Sequence, residues 1–81
     1  MRVTVSFYSY LKDMTGCAQA AETVPEGCTL EELYRKLARH FPKLADFERS
    51  TLMAVDVDYQ PRSYVLREGD EVALFPPVQG G

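Results

Sequence analysis

Thr29 and Glu32 stand three apart just before a run of apolar residues spaced for a helix, and this box most limits what the chain can become. A T-x-x-E pattern lets a threonine hydroxyl and a glutamate carboxylate satisfy backbone N–H groups that the first helical turn leaves open. From it the spacing predicts a helix over Leu30–His40. Leu30, Leu33, Tyr34, Leu37, Ala38 and Phe41 fall on one stripe, with Glu31, Glu32, Arg35, Lys36 and Arg39 around the rest. Glu31 with Arg35 and Glu32 with Lys36 are i,i+4 pairs, acids toward the helix start and bases toward its end. Pro42 ends the helix. The stripe reads as core and not as a cofactor pocket, and a single long amphipathic helix needs one sheet face to cover.

Alternation supplies that sheet. Val3, Val5 and Phe7 share one side of a first strand and Thr4, Ser6 and Tyr8 the other. A short helix over Tyr10–Thr15 is stopped by Gly16, which suits a left-handed cap. Ala18–Val24 reads as a second strand, followed by a turn at Pro25-Glu26-Gly27. After α-helical residues and a polar loop holding Asp46, Glu48 and Arg49, Leu52–Val57 reads as a third strand with Met53, Val55 and Val57 inward. Asp58 to Arg62 turns the chain, Ser63–Leu66 reads as a brief fourth strand, and Glu71–Phe75 is the last. In that last strand Val72 and Leu74 face one way and Glu71, Ala73 and Phe75 the other, which leaves Phe75 off the core. If the first and last strands are neighbours, Tyr8 and Phe75 meet on the uncovered face. The economical architecture is an α+β roll, one domain over residues 1–81 with a flexible C-terminal tail at 76–81.

A hydrophobic content of 46% with 26% charged residues is that of a globular chain. The formal net charge of -3 leaves no electrostatic footprint for nucleic acid or an anionic membrane and suits a basic groove on a partner. The alternating N-terminus is not a signal peptide, and no segment approaches the ~20 apolar residues of a membrane span, so a cytoplasmic location is expected. Cys17 and Cys28 lack the company and spacing of zinc ligands, so no metal site is expected and both read as partly buried thiols. His40 complements a helix C-terminus, and Asp70 with Glu71 reads as a solvated turn. No nucleophile and base pair up in this pattern.

The chemistry points instead to the end of the chain. Pro76-Pro77 stiffens the backbone beyond the last strand, and Gly80-Gly81 could thread a channel too narrow for any Cβ, which describes an arm built to enter another protein's active site. The run Leu66-Arg67-Glu68-Gly69-Asp70-Glu71-Val72-Ala73-Leu74-Phe75-Pro76-Pro77-Val78-Gln79-Gly80-Gly81 resembles the C-terminus of the MoaD-type sulfur carriers, the small subunits of molybdopterin synthase within the MoaD/ThiS family. Tyr10–Gly16 and Thr29–Leu33 are similar to the starts of the family's two helices.

The resemblance implies a ubiquitin-like β-grasp and a cycle. A ubiquitin-activating-like adenylyltransferase uses ATP to adenylate the Gly81 carboxylate, and a sulfur donor protein replaces AMP with sulfur. The thiocarboxylate then supplies the molybdopterin dithiolene inside a complex with a large catalytic subunit. Activation is needed because a terminal carboxyl of pKa about 3.3–3.7 is an anion at neutral pH and a poor electrophile. The carrier itself binds no cofactor in this scheme. The resemblance also assigns partner contacts to Tyr8, Tyr59 and Phe75 and to Pro76, Pro77 and Val78 of the arm, with Gly80 beside the reacting Gly81. Asp56 stands where the family more usually has Asn. Carriers for thiamine or tRNA thiolation share the terminal Gly-Gly, as do ubiquitin-like protein modifiers. Pro76-Pro77-Val78 and the chain length favour molybdopterin.

Overall fold

The computed structural model describes residues 1–77, so the expectations for Val78, Gly80 and Gly81 lie outside the described residues. Among the described residues, five strands and two α-helices follow in chain order: β1 (Arg2–Phe7), α1 (Tyr10–Thr15), β2 (Gln19–Thr23), α2 (Leu30–His40), β3 (Leu52–Val55), β4 (Asp58–Tyr59) and β5 (Glu71–Phe75). A 3-10 helix, Pro42–Phe47, lies between α2 and β3. The strands form one mixed sheet in the order β2-β1-β5-β3-β4. β1 and β5 pair in parallel at its centre, Val5 opposite Val72, and the remaining pairs are antiparallel. This is the β-grasp arrangement, with the first and last strands adjacent.

The capping box forms as the sequence requires. Glu32 N donates to Thr29 Oγ1 at 3.2 Å while Thr29 N donates to Glu32 Oε1 at 3.0 Å. Leu30, Leu33, Tyr34 and Leu37 are buried against Val3, Val5, Phe7, Met53, Val55, Val72 and Leu74, and each buried Leu or Val contributes about 1.5–3 kcal/mol. The Glu31–Arg35 pair is present at 3.4 Å. The expected Glu32–Lys36 pair is not, because Glu32 is turned back into its box; Lys36 instead reaches Glu22 at 3.5 Å and donates to the Thr23 carbonyl, tying α2 to the edge strand β2.

Three other expectations are corrected. The third strand stops at Val55, and Asp56-Val57 forms a two-residue hairpin turn with φ of 48° and 71°, so Val57 points into solvent at 97% exposure instead of inward. Such a loop demands positive φ at both central positions. Aspartate tolerates it, but a β-branched residue does so at a cost of roughly 1–2 kcal/mol.

Ser63–Leu66 is not a strand, since Asp58–Tyr59 takes the place beside β3 and only a Thr29–Val65 bridge forms. The segment serves the helix: Tyr64 O and Arg62 O accept the open N–H groups of Leu30 and Glu31, each at 3.0 Å.

The polar loop is largely the 3-10 helix, begun by Pro42 and pinned by fully buried Leu44. Tyr34 Oη donates to the Leu44 carbonyl at 2.7 Å and lies 3.2 Å from Thr51 Oγ1, which satisfies the hydroxyl inside the core. Burial pushes the Tyr34 phenol up from its ordinary pKa.

Candidate functional site

Register decides what the uncovered face of the sheet presents. Ser6 and Ala54 both lie opposite Ala73, so small side chains occupy the middle of the face. Phe75 is opposite Leu52, and Tyr59 is opposite Ala54. Tyr8 follows β1 but stays in line with β5 because its N–H donates to Leu74 O at 3.2 Å. The three aromatic rings therefore collect at one end of a floor of small residues.

Tyr8 and Phe75 stack with centroids 4.7 Å apart and planes 11° from parallel, and Tyr59 meets Phe75 edge-on at 6.2 Å and 63°. Both are arrangements that aromatic quadrupoles favour. Phe75 is half-buried and outside the core cluster, as alternation requires. Tyr8 and Tyr59 are 47% and 68% exposed, so the cluster offers ring surface to solvent. Rings and floor enclose a depression of about 410 Å³, closed at its far end by Asp56, Val57 and Glu71. Asp56 Oδ1 accepts Glu71 N at 3.3 Å, a bond that an Asn carbonyl could equally make. Pro76 and Pro77, both half-buried, leave the sheet directly from Phe75. The rings thus stand at the root of the arm.

The face carries exposed ring surface and small side chains. Among the described residues no three His, Cys, Asp or Glu side chains converge as metal ligands, and no helix is long and apolar enough to cross a membrane. Cys28 is buried under the sheet, away from the rings; burial, and then the nearby Glu32 charge, push its thiol up and keep it protonated. Asp70 is not the solvated turn residue expected. It is buried, accepts Arg67 N at 2.8 Å and Tyr64 Oη at 3.4 Å, and braces the turn that launches β5. A second depression of about 500 Å³ lies on the other side of Tyr59 and includes Arg49 and Arg62. Sequence reasoning found Tyr8 and Phe75 by alternation. It reached Tyr59 only through resemblance, since β4 is too short to leave a periodic signal.

A family model described as the ThiS family matches residues 5–81. The chain belongs to the ThiS family. Among curated relatives it is 32% identical over 82 residues to the molybdopterin synthase sulfur carrier subunit of Mycobacterium tuberculosis, covering 100% of this chain and 99% of the relative. In structure, this ThiS-family chain is similar to the H. volcanii small archaeal modifier protein 1, with a TM-score of 0.85 at 20% identity over 95% of this chain and 98% of that one. It is similar also to a chain in the protein–protein complex of subunits 1 and 2 of the molybdopterin-converting factor from Helicobacter pylori. There the TM-score is 0.69 at 23% identity, covering 100% of both chains. At these identities the two structures establish the fold.

Proposed function

We propose that this chain is the sulfur carrier subunit of a molybdopterin synthase. The observation that carries the reading is the placement of Tyr8, Phe75 and Tyr59 at the root of the Pro76-Pro77 arm, in a chain whose curated relative bears that name. A carrier needs a docking surface beside its reactive end and no acid–base machinery of its own, and the uncovered face is of that kind. The large catalytic subunit is the partner for which the rings serve as anchors, while Pro76, Pro77 and Val78 direct the arm toward its active site. Support for a two-subunit assembly comes from the Helicobacter pylori complex of subunits 1 and 2.

In this reading the Gly81 carboxylate attacks the α-phosphorus of ATP on an adenylyltransferase, forming an acyl adenylate with loss of pyrophosphate. A donor protein delivers sulfur at the oxidation level of sulfide, which displaces AMP to give the thiocarboxylate. That sulfur attacks a carbon of the dithiolene precursor and displaces an oxygen substituent. Water then cleaves the acyl–sulfur bond, leaving the sulfur on the precursor and regenerating the carboxylate. Gly80 leaves the arm slim enough for a narrow channel. The chain contributes the sulfur-bearing group, and ATP is used by the activating partner.

The test is intact-mass measurement after incubation with an activating enzyme, ATP and a sulfur donor. The expected product is heavier by the difference between sulfur and oxygen, with the change mapped to Gly81, and it transfers sulfur when mixed with the large subunit. Modification at Cys17 or Cys28, or isopeptide adducts to lysines of other proteins in place of a thiocarboxylate, would overturn the reading.

A further inference from the structure

The position of Val57 serves neither the core nor its own backbone. It is 97% exposed, so it buries no surface within the chain. Its φ of 71° is the left-handed conformation that a β-branched side chain resists most, whereas Gly or Asn would adopt it readily. Asp56, its companion in the turn, has a local reason to be there, since it caps the start of β5 through Glu71. Val57 has none. An apolar side chain held out at a strained turn is a hypothesis of function in its own right. Its location gives that hypothesis content: Val57 lines the rim of the same depression as Tyr8, Tyr59 and Phe75, at the opposite end from the rings.

We infer that Val57 is a second anchor for the large catalytic subunit, inserting into an apolar recess on that partner while the aromatic cluster holds the other end of the interface. This rests on the proposed function and extends it from one contact point to two. Two anchors separated along the strands fix the carrier's orientation as well as its attachment, which a single ring cluster does not. A rigid two-residue turn presents the side chain with little motion to lose on binding. The recess is apolar because Val57 has no polar atom beyond its backbone to offer.

The experiment measures affinity of the full chain for the purified large subunit, with thermal unfolding of each variant alone. Val57→Gly relieves the backbone and removes the side chain, so the melting temperature should rise while affinity falls by about tenfold or more, the scale of one apolar side chain left unburied. Val57→Thr keeps the shape and β-branching but places a hydroxyl in the recess, so affinity should fall with the melting temperature close to the parent's. Phe75→Ala tests the underlying reading separately. If Phe75→Ala weakens binding and both Val57 variants bind like the parent, the second anchor is refuted and the carrier reading stands. If the parent does not bind the large subunit at all, both fall.

Discussion

The two faces of the sheet are made by the same strands, yet they are built for opposite ends. Toward α2, Val3, Val5, Phe7, Val72 and Leu74 are buried by branched and aromatic side chains that interlock with Leu30, Leu33 and Leu37. On the other side, Ser6, Ala54 and Ala73 leave a hollow floor, and the large side chains are gathered at its ends as Tyr8, Tyr59, Phe75 and Val57. One face is filled to exclude water from within. The other is left incomplete, with a depression of about 410 Å³ between its large side chains. The comparison teaches that period-2 alternation can send neighbouring residues of one strand to a filled face and an open one, as it does Leu74 and Phe75.

That division can be broken from the covered side first. Leu33→Ala should cost roughly 2–5 kcal/mol, a large part of the stability of a small domain, as read by urea unfolding. Were the loss no larger than for a surface substitution, the helix-facing side would not be the stabilising one. On the open face, Phe75→Ala should weaken binding of the large subunit by about 2 kcal/mol while the midpoint of thermal unfolding stays near that of the parent. A collapse in melting temperature with binding intact would reverse the assignment of the two faces.

Smaller effects sharpen the picture on the covered side. Thr29→Ala removes the hydroxyl that accepts Glu32 N and should cost about 1 kcal/mol in stability, with no change in partner affinity because the box lies away from the rings. The smallest effect is in pH. Burial raises the folded-state pKa of Cys28, so the thiol's contribution is complete below its ordinary value of about 8.5 and is lost as pH rises toward the folded value. Unfolding free energy should therefore decline through mildly alkaline pH, and Cys28→Ala should decline less steeply. Equal slopes would place that thiol in water.

Much of the covered face was legible in the chain. The capping box marked the start of α2, the 3.6-residue stripe marked its buried side, and Gly16 at φ 75° closes α1 where its tolerance of that angle indicated. These features depend on residues within a turn or two of each other. The candidate site was legible in part: alternation put Phe75 off the core, and the tail motif carried the family. What escaped was set by distant partners. The segment of Asp46, Glu48 and Arg49 reads as a polar loop, yet beside it Leu44 is buried and its carbonyl is reached by Tyr34, ten positions earlier. Asp70 looked solvated until Tyr64 and Arg67 closed over it.

Thus the sequence alone determined which residues form α1, α2, β1 and β5, which side of β1 and of β5 is apolar, and the Pro-Pro arm that resembles a sulfur carrier's. Tertiary structure decided that β1 and β5 lie side by side, which stacks Tyr8 on Phe75, and that Asp58–Tyr59 takes the edge beside β3, which brings Tyr59 to the same rings. It also decided that the chain turns at Asp56-Val57 and turns Val57 outward. The physical reason is that side-chain periodicity reports the face a residue takes and carries no information on which strand lies next to it. Strand neighbours and hairpin registers are settled only when burial and backbone hydrogen bonding are satisfied over the whole sheet at once.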